Sequence, residues 1–160
     1  MKLMQYLIGL VVVLVLGVLV AGQLGLLAGK APQLGVRDGR LKPPSATPNS
    51  VSSQAGLYPD HVQKDYALIA PLSYQGDAAS GMQRLASVLQ NMERTVIVTQ
   101  SADYLYAQSS TALLKFTDDL EFLLDAPHNI VHVRSSSRLG RKDFGVNRQR
   151  VEAIRAAFAQ

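Results

Sequence analysis

Cysteine is absent from this 160-residue chain, which excludes disulfides, thiolate metal sites and cysteine nucleophiles at once. The same absence rules out a lipid anchor through an N-terminal cysteine and leaves the redox compartment open. Histidine is scarce, and His61, His128 and His132 show no recognised metal-ligand spacing. No G-x-S-x-G elbow accompanies the serines at 50–53. The glycines at 140 and 145 fit neither a Walker nor a dinucleotide loop. Charge is unevenly spread. Between Asp60 and Asp125 nine acids face four bases, and between Arg134 and Arg155 seven bases face Asp143 and Glu152. A basic segment beside an acidic one points first to internal pairing and second to a phosphate or lipid headgroup. Nucleic acid ranks last, because it asks for a broad basic surface, often with exposed stacking aromatics.

What the chain has in excess is apolar length at its start. Residues 3–29 carry no charge, and Lys2 and Lys30 bracket them. About 20 helical residues cross a hydrocarbon core of about 30 Å, and a buried helix of a small domain is rarely apolar on every face. The run reads as a transmembrane signal-anchor over 1–29. The rival, a cleaved secretory signal ending at Leu19-Val20-Ala21, has too long a run and too poor a site. Orientation pulls two ways. Lys30, Arg37, Arg40 and Lys42 after the run favour a cytoplasmic domain, whereas the signal-anchor shape favours export. Residues 30–48 hold Pro43, Pro44 and Pro48 and read as an extended, proline-rich linker lying along the domain. The domain itself occupies 49–160.

That domain reads as α+β, an antiparallel sheet with two packed helices. One helix is expected over 78–92, with Asp77 as N-cap and Met82, Leu85, Leu89 and Met92 as its apolar stripe. The second is expected over 146–159, with Asn147, Val151, Ile154 and Phe158 on one face and Arg148, Glu152 and Arg155 as an ion-pair ladder on another. Strands are expected over 95–99, 104–109, 111–117, 120–124 and 130–134. The third and fourth form one bent strand or a hairpin about Asp118-Asp119. Alternation along a straight strand aligns Leu114, Phe116, Leu120, Phe122 and Leu124 with the core together with Asp118, and turns Asp119 and Glu121 the other way. A buried Asp118 must be paired or richly hydrogen-bonded.

The polar residues concentrate in 114–155. Asp118, Asp119, Glu121, Arg134, Arg138, Asp143, Asn147 and Arg148 are the candidate cluster. In its structural form the arginines Arg134, Arg138 and Arg148 lock the acids, a role the planar guanidinium suits. In its binding form the arginines, the serines 135–137 and the start of the last helix hold an anion or a lipid headgroup. A hydrolase or metal-dependent enzyme centred on Asp119, Glu121 and His132 is the alternative. Adjacent Asp118 and Asp119 point to opposite faces and make a poor carboxylate pair. No cofactor and no metal are implied.

Four blocks then resemble a known family. They are Asn49-Ser50-Val51-Ser52-Ser53-Gln54, Leu114-Lys115-Phe116-Thr117-Asp118-Asp119-Leu120-Glu121-Phe122, Val133-Arg134-Ser135-Ser136-Ser137-Arg138-Leu139-Gly140 and the run from Asp143-Phe144-Gly145-Val146-Asn147-Arg148 to Ile154-Arg155. Their order and spacing are similar to the DUF1499 family over about 48–158. The resemblance implies a domain of unknown function, often behind an N-terminal signal or membrane segment, and no established catalytic residues. Many members carry cysteine where this chain has Ser50, so no thiol role carries over. The expectation is a single-pass protein of a bacterial inner membrane with its C-terminal domain in the periplasm. It would serve as a structural or binding accessory at the cell envelope. Its partners would be the lipid bilayer and an anionic ligand or headgroup, with no nucleic acid and any protein partner unknown.

Overall fold

The structure is a computed structural model and describes residues 1–159. Helix α1 (Lys2–Gln23) is apolar all round, with none of its most apolar stretch buried against the protein and a mean hydropathy of 2.7 there. Its 22 residues extend about 33 Å at 1.5 Å each, enough to cross a membrane.

The remaining elements form one α+β unit. They are β1 (Ser50–Ser52), a 3₁₀ turn (Ala55–Leu57), α2 (Lys64–Ala67), β2 (Leu72–Ser73), α3 (Ala78–Gln90), β3 (Thr95–Gln100), β4 (Tyr104–Ser110), β5 (Thr117–Asp125), a 3₁₀ turn (Ala126–His128), β6 (Ile130–Ser137) and α4 (Val146–Phe158). The six strands make a single antiparallel sheet. Strands β3 to β6 form a meander, and β1 and β2 share the outer edge of β6. β1 pairs with its second half, through Ser52↔Arg134, and β2 with its first, through Leu72↔Val131.

The period-2 alternation gives the sheet two different faces. Leu105, Ala107, Leu120, Phe122, Val131 and Val133 point to one side, where they meet α3 and α4. Helix α3 contributes Met82, Leu85, Ala86 and Leu89 at helical spacing. Its first turn is capped by Asp77, whose carboxylate accepts the Ser80 N–H at 2.9 Å. Helix α4 contributes Asn147, Val151, Ile154 and Phe158, the face its periodicity predicts.

Two expectations for β5 are corrected. Leu114 and Phe116 do not enter the core, because 111–116 forms a turn. Thr111 N–H donates to Phe116 O at 3.0 Å, Phe116 N–H donates to Thr111 Oγ1 at 3.0 Å, and Lys115 takes φ 55°. The turn ends the alternation, and Phe116 stays exposed. There is also no hairpin about Asp118-Asp119, which lie within the single strand β5. The arginine ladder on α4 is half formed. Arg155 pairs with Glu152 at 2.9 Å, while Arg148 donates instead to Tyr66 O and Leu68 O at 2.5 and 3.0 Å.

Phe122 is fully buried among these residues. Phe122→Ala should cost about 3–5 kcal/mol of stability, read by chemical denaturation of the detergent-solubilised chain. Val96→Ala, at an exposed site on the edge strand, should stay within about 0.5 kcal/mol.

Candidate functional site

The second face of the sheet carries Tyr104, Tyr106 and Gln108 from β4, Asp119 and Glu121 from β5, and Arg134 and Ser136 from β6. The register sets Tyr106 opposite Glu121, and Glu121 opposite Arg134. On a two-layer α+β domain such a face normally meets water. Here residues 30–48 lie across it as a strap. Gly35 N–H donates to Glu121 Oε1 at 3.0 Å, and Arg134 Nε donates to Pro43 O at 3.3 Å. Further along, Leu41 N–H donates to Gln54 Oε1 at 2.8 Å and Ser45 N–H to Ser50 Oγ at 2.8 Å. Leu41, itself a strap residue, is buried.

Covering a polar face demands that every charge find a partner. Glu121 is 0% exposed. Its Oε1 also accepts the Tyr104 hydroxyl at 2.9 Å, and its Oε2 accepts Arg134 Nη1 at 3.4 Å. Asp119 is held more tightly. Arg138 grips it side-on, Nε to Oδ2 at 2.9 Å and Nη2 to Oδ1 at 2.6 Å, and the Tyr106 hydroxyl donates to Oδ1 at 2.6 Å. Burial and the neighbouring Glu121 push the Tyr104 hydroxyl far above its ordinary pKa, and burial with Asp119 raises that of Tyr106. Both phenols therefore stay protonated and serve as donors. The hydrogen bonds to Asp119 raise the pKa of Arg138. Burial lowers that of Arg134 against the opposing pull of Glu121 and Asp119.

Asp118 lies on the opposite, helix-packed face. It is buried and paired with Arg150 Nη2 of α4 at 2.7 Å. Beside it a third polar group joins α4 to the sheet. Asn147, fully buried, donates from Nδ2 to Asn49 O, Ser137 Oγ and Asp143 Oδ2 at 2.9 to 3.1 Å. Its Oδ1 accepts the Ser135 hydroxyl at 2.5 Å and Arg150 Nη1 at 3.1 Å. Asp143 accepts the N–H groups of Gly145 and Asn147 at 3.0 and 3.1 Å and the Tyr66 hydroxyl. It thus places a carboxylate at the positive end of α4.

The eight candidate residues therefore divide. Asp119, Glu121, Arg134 and Arg138 meet on the strap-covered face. Asp118, Asp143 and Asn147 lie on the other side of the sheet, and Arg148 touches none of the acids. The pairing expected from Arg148 is made by Arg150, two positions along the helix. The tyrosines, Asn49 and the strap's backbone were also missed by sequence reasoning. Tyr104 and Tyr106, two residues apart on one strand, share a face by alternation, and only the strand register shows that this is the face of the acids.

The enzymatic alternative finds no support in this geometry. The oxygens of Asp119 and Glu121 are occupied by arginine, tyrosine and backbone donors. His132 turns to other partners, Ser53 Oγ at 3.2 Å and Asp125 Oδ2 at 3.5 Å. Among the described residues no group of three His, Asp or Glu is placed to hold a metal.

Beside the ion pairs the strap leaves a cavity of about 370 Å³. Lys30 and Lys42 reach it from the strap and Arg134, Ser136 and Arg138 from β6 and the loop beyond, with Asp119 as its one acid. An α+β domain with a covered ion-pair layer, joined to a helix of membrane-spanning length, is the class of protein these features define. The chain belongs to the family described as a protein of unknown function, DUF1499, which matches residues 40–158 and so includes the second half of the strap. No match to this chain was found among curated proteins or solved structures.

Arg138→Ala would leave the Asp119 carboxylate buried and uncompensated. It should cost about 3–5 kcal/mol, whereas Arg94→Ala, which breaks an exposed pair with Glu93, should cost at most about 1 kcal/mol; denaturant midpoints measure both. Burial alone would raise the Asp143 pKa, but the hydrogen bonds from Tyr66, Asn147 and Gly145 outweigh it and hold it below the ordinary range. Its stabilising effect is present above the unfolded value of about 4 and is lost as pH falls through the native value. Asp143→Asn should therefore flatten the stability profile below about pH 4.

Proposed function

We propose that this protein is a single-pass, membrane-anchored binding accessory of the cell envelope, and that its domain holds a phosphate-bearing anion in the cavity between the strap and β6. On this reading residues 1–29 are the anchor and the domain runs from 49 onward. Residues 30–48 are a strap that helps to build the site as well as a tether.

The observation that carries the reading is the charge around the cavity. Lys30, Lys42, Arg134 and Arg138 line it against Asp119 alone. Arg138 is consumed by Asp119, and Arg134, a lining residue, gives Nε to Pro43 and Nη1 to Glu121, with no hydrogen bond from Nη2 among the described residues. Lys30 and Lys42 form no salt bridge among the described residues. The Ser45 and Ser136 hydroxyls, 3.1 Å apart, add donors at the same wall. Ammonium and guanidinium groups with hydroxyls match a phosphate oxyanion. Lys30 follows α1 by seven residues, so a lipid headgroup and a soluble phosphate compound both have access.

Titration of the full chain in detergent with inorganic phosphate, and separately with a short-chain phosphatidylglycerol, tests this. Binding to either should weaken about tenfold, or ~1.4 kcal/mol, in Lys42→Ala and again in Lys30→Ala, and should fall with salt. Preference for the lipid identifies a headgroup site, and preference for phosphate a soluble ligand. Binding that is absent, or indifferent to both lysines, removes the reading. Placement of the domain outside the inner membrane rests on the signal-anchor shape, a one-lysine flank followed by a long apolar helix. Alkaline phosphatase fused after the last residue should be active if the domain is exported, and an inactive fusion places it in the cytoplasm.

A further inference from the structure

Several exposed apolar side chains belong neither to the core nor to the cavity beside the strap, and they cluster on two loops, one touching the end of α1 and the other the segment that follows it. The first loop is the 111–116 turn. The Gln23 amide donates to Leu113 O at 2.8 Å, and Gly22 packs so closely on Leu114 that an added Cβ would stand 2.8 Å from its Cα. The second is the loop from 138 to 145. Gly29, at φ +75°, packs on Arg138 and Leu139, where an added Cβ would meet their side chains at 2.8 and 3.0 Å. Only glycine allows both approaches. A bilayer crossed by α1 and left near Gln23 would have these two loops at its surface.

Their composition suits that position. The turn presents Leu113, 67% exposed, and Phe116, with Lys115 between them. The second loop presents Leu139 and then Arg141, Lys142 and Phe144, the last 88% exposed. Phe144 takes φ 52°, a backbone region unfavourable for a bulky residue, and its ring gains no burial within the domain. The nearest acid, Asp143, is buried and bonded inward. Apolar tips interleaved with cations and free of exposed acid are the composition that seats in the interfacial layer of an anionic bilayer.

We infer that the 111–116 and 138–144 loops insert their apolar tips into the headgroup layer of an anionic membrane and hold the domain against the bilayer that α1 crosses. The inference rests on the membrane-anchored reading, not on the anion cavity. It also sets the domain's orientation. The Thr117 end of β5 and the Ser137 end of β6 face the membrane. The Asp125–Ile130 end, where Ser73 pairs with Ile130, points away, about 30 Å distant for a nine-residue strand.

The absence of cysteine makes single-site labelling direct. Leu14→Cys, Leu113→Cys, Phe144→Cys and Gln75→Cys would each carry an environment-sensitive fluorophore in the full chain. Each would be reconstituted in phosphatidylcholine vesicles with and without phosphatidylglycerol, and quenching by nitroxide-bearing lipid would be measured. The expected result is strong quenching at 14 in both vesicles. At 113 and 144 quenching should be at least about twofold stronger with phosphatidylglycerol than without, and at 75 it should be absent. Quenching at 14 with none at 113 and 144 overturns the docking and leaves the anchor intact. No quenching at 14 overturns the anchor itself and the docking with it. Equal quenching at 113 and 144 in both vesicles overturns the requirement for anionic lipid.

Discussion

The fold outside the helix-packed core depends on how Asp119 and Glu121 are neutralised. Two carboxylates two residues apart on a central strand cannot be covered by protein unless cations and hydroxyls come with them. The sheet supplies these from its own strands. Arg134 stands directly across from Glu121, Tyr106 lies across on the other side, and Arg138 extends from the end of β6 to grip Asp119. With the charges satisfied the strap can close over them, and Gly35 contributes a backbone donor to the same Glu121. A stretch rich in proline, with few donors of its own, is thereby held by the layer it covers.

The same arrangement leaves positive charge unspent. The acids consume the arginines, and the strap then adds Lys30 and Lys42 at the rim of the remaining cavity. The cavity is thus a consequence of covering a balanced ion-pair layer with a basic segment. On the other side of the sheet, Asp118–Arg150 and the Asn147–Asp143 group perform a comparable service for α4, fixing a polar helix start against β6 and β1. Polar contacts on both faces converge at the Thr117 and Ser137 end of the sheet. This is also the end that receives α1 through Gly22, and the segment after it through Gly29.

Much of the domain was legible from local chemistry. Helix α3 was marked by Asp77 and the spacing of Met82, Leu85 and Leu89, and the buried face of α4 by Asn147, Val151, Ile154 and Phe158. Alternation assigned Asp118 to the core side and Asp119 and Glu121 to the other. It failed at Leu114 and Phe116, because a turn closed by the Thr111 hydroxyl and by Lys115 in the left-handed region carries no glycine or proline to announce it. Arg148 was expected to meet the acids and Arg150 does; the two positions lie about 200° apart around the helix, and only the packing of α4 decides which arginine reaches the sheet.

Composition and periodicity determine, without any structure, the membrane-length helix, the α+β class and the opposite faces of Asp118 and of Asp119 and Glu121 on β5. These follow from transfer free energy and backbone geometry, which act residue by residue. Partner choice needed the tertiary structure. Which arginine meets which acid depends on strand register, and the closure of the strap uses the Gly35 N–H and the Pro43 carbonyl, groups every peptide carries and no side-chain pattern records. The cavity and the meeting of the 111–116 and 138–145 loops with the segment around α1's end are properties of the same assembly, since each gathers residues far apart in the chain.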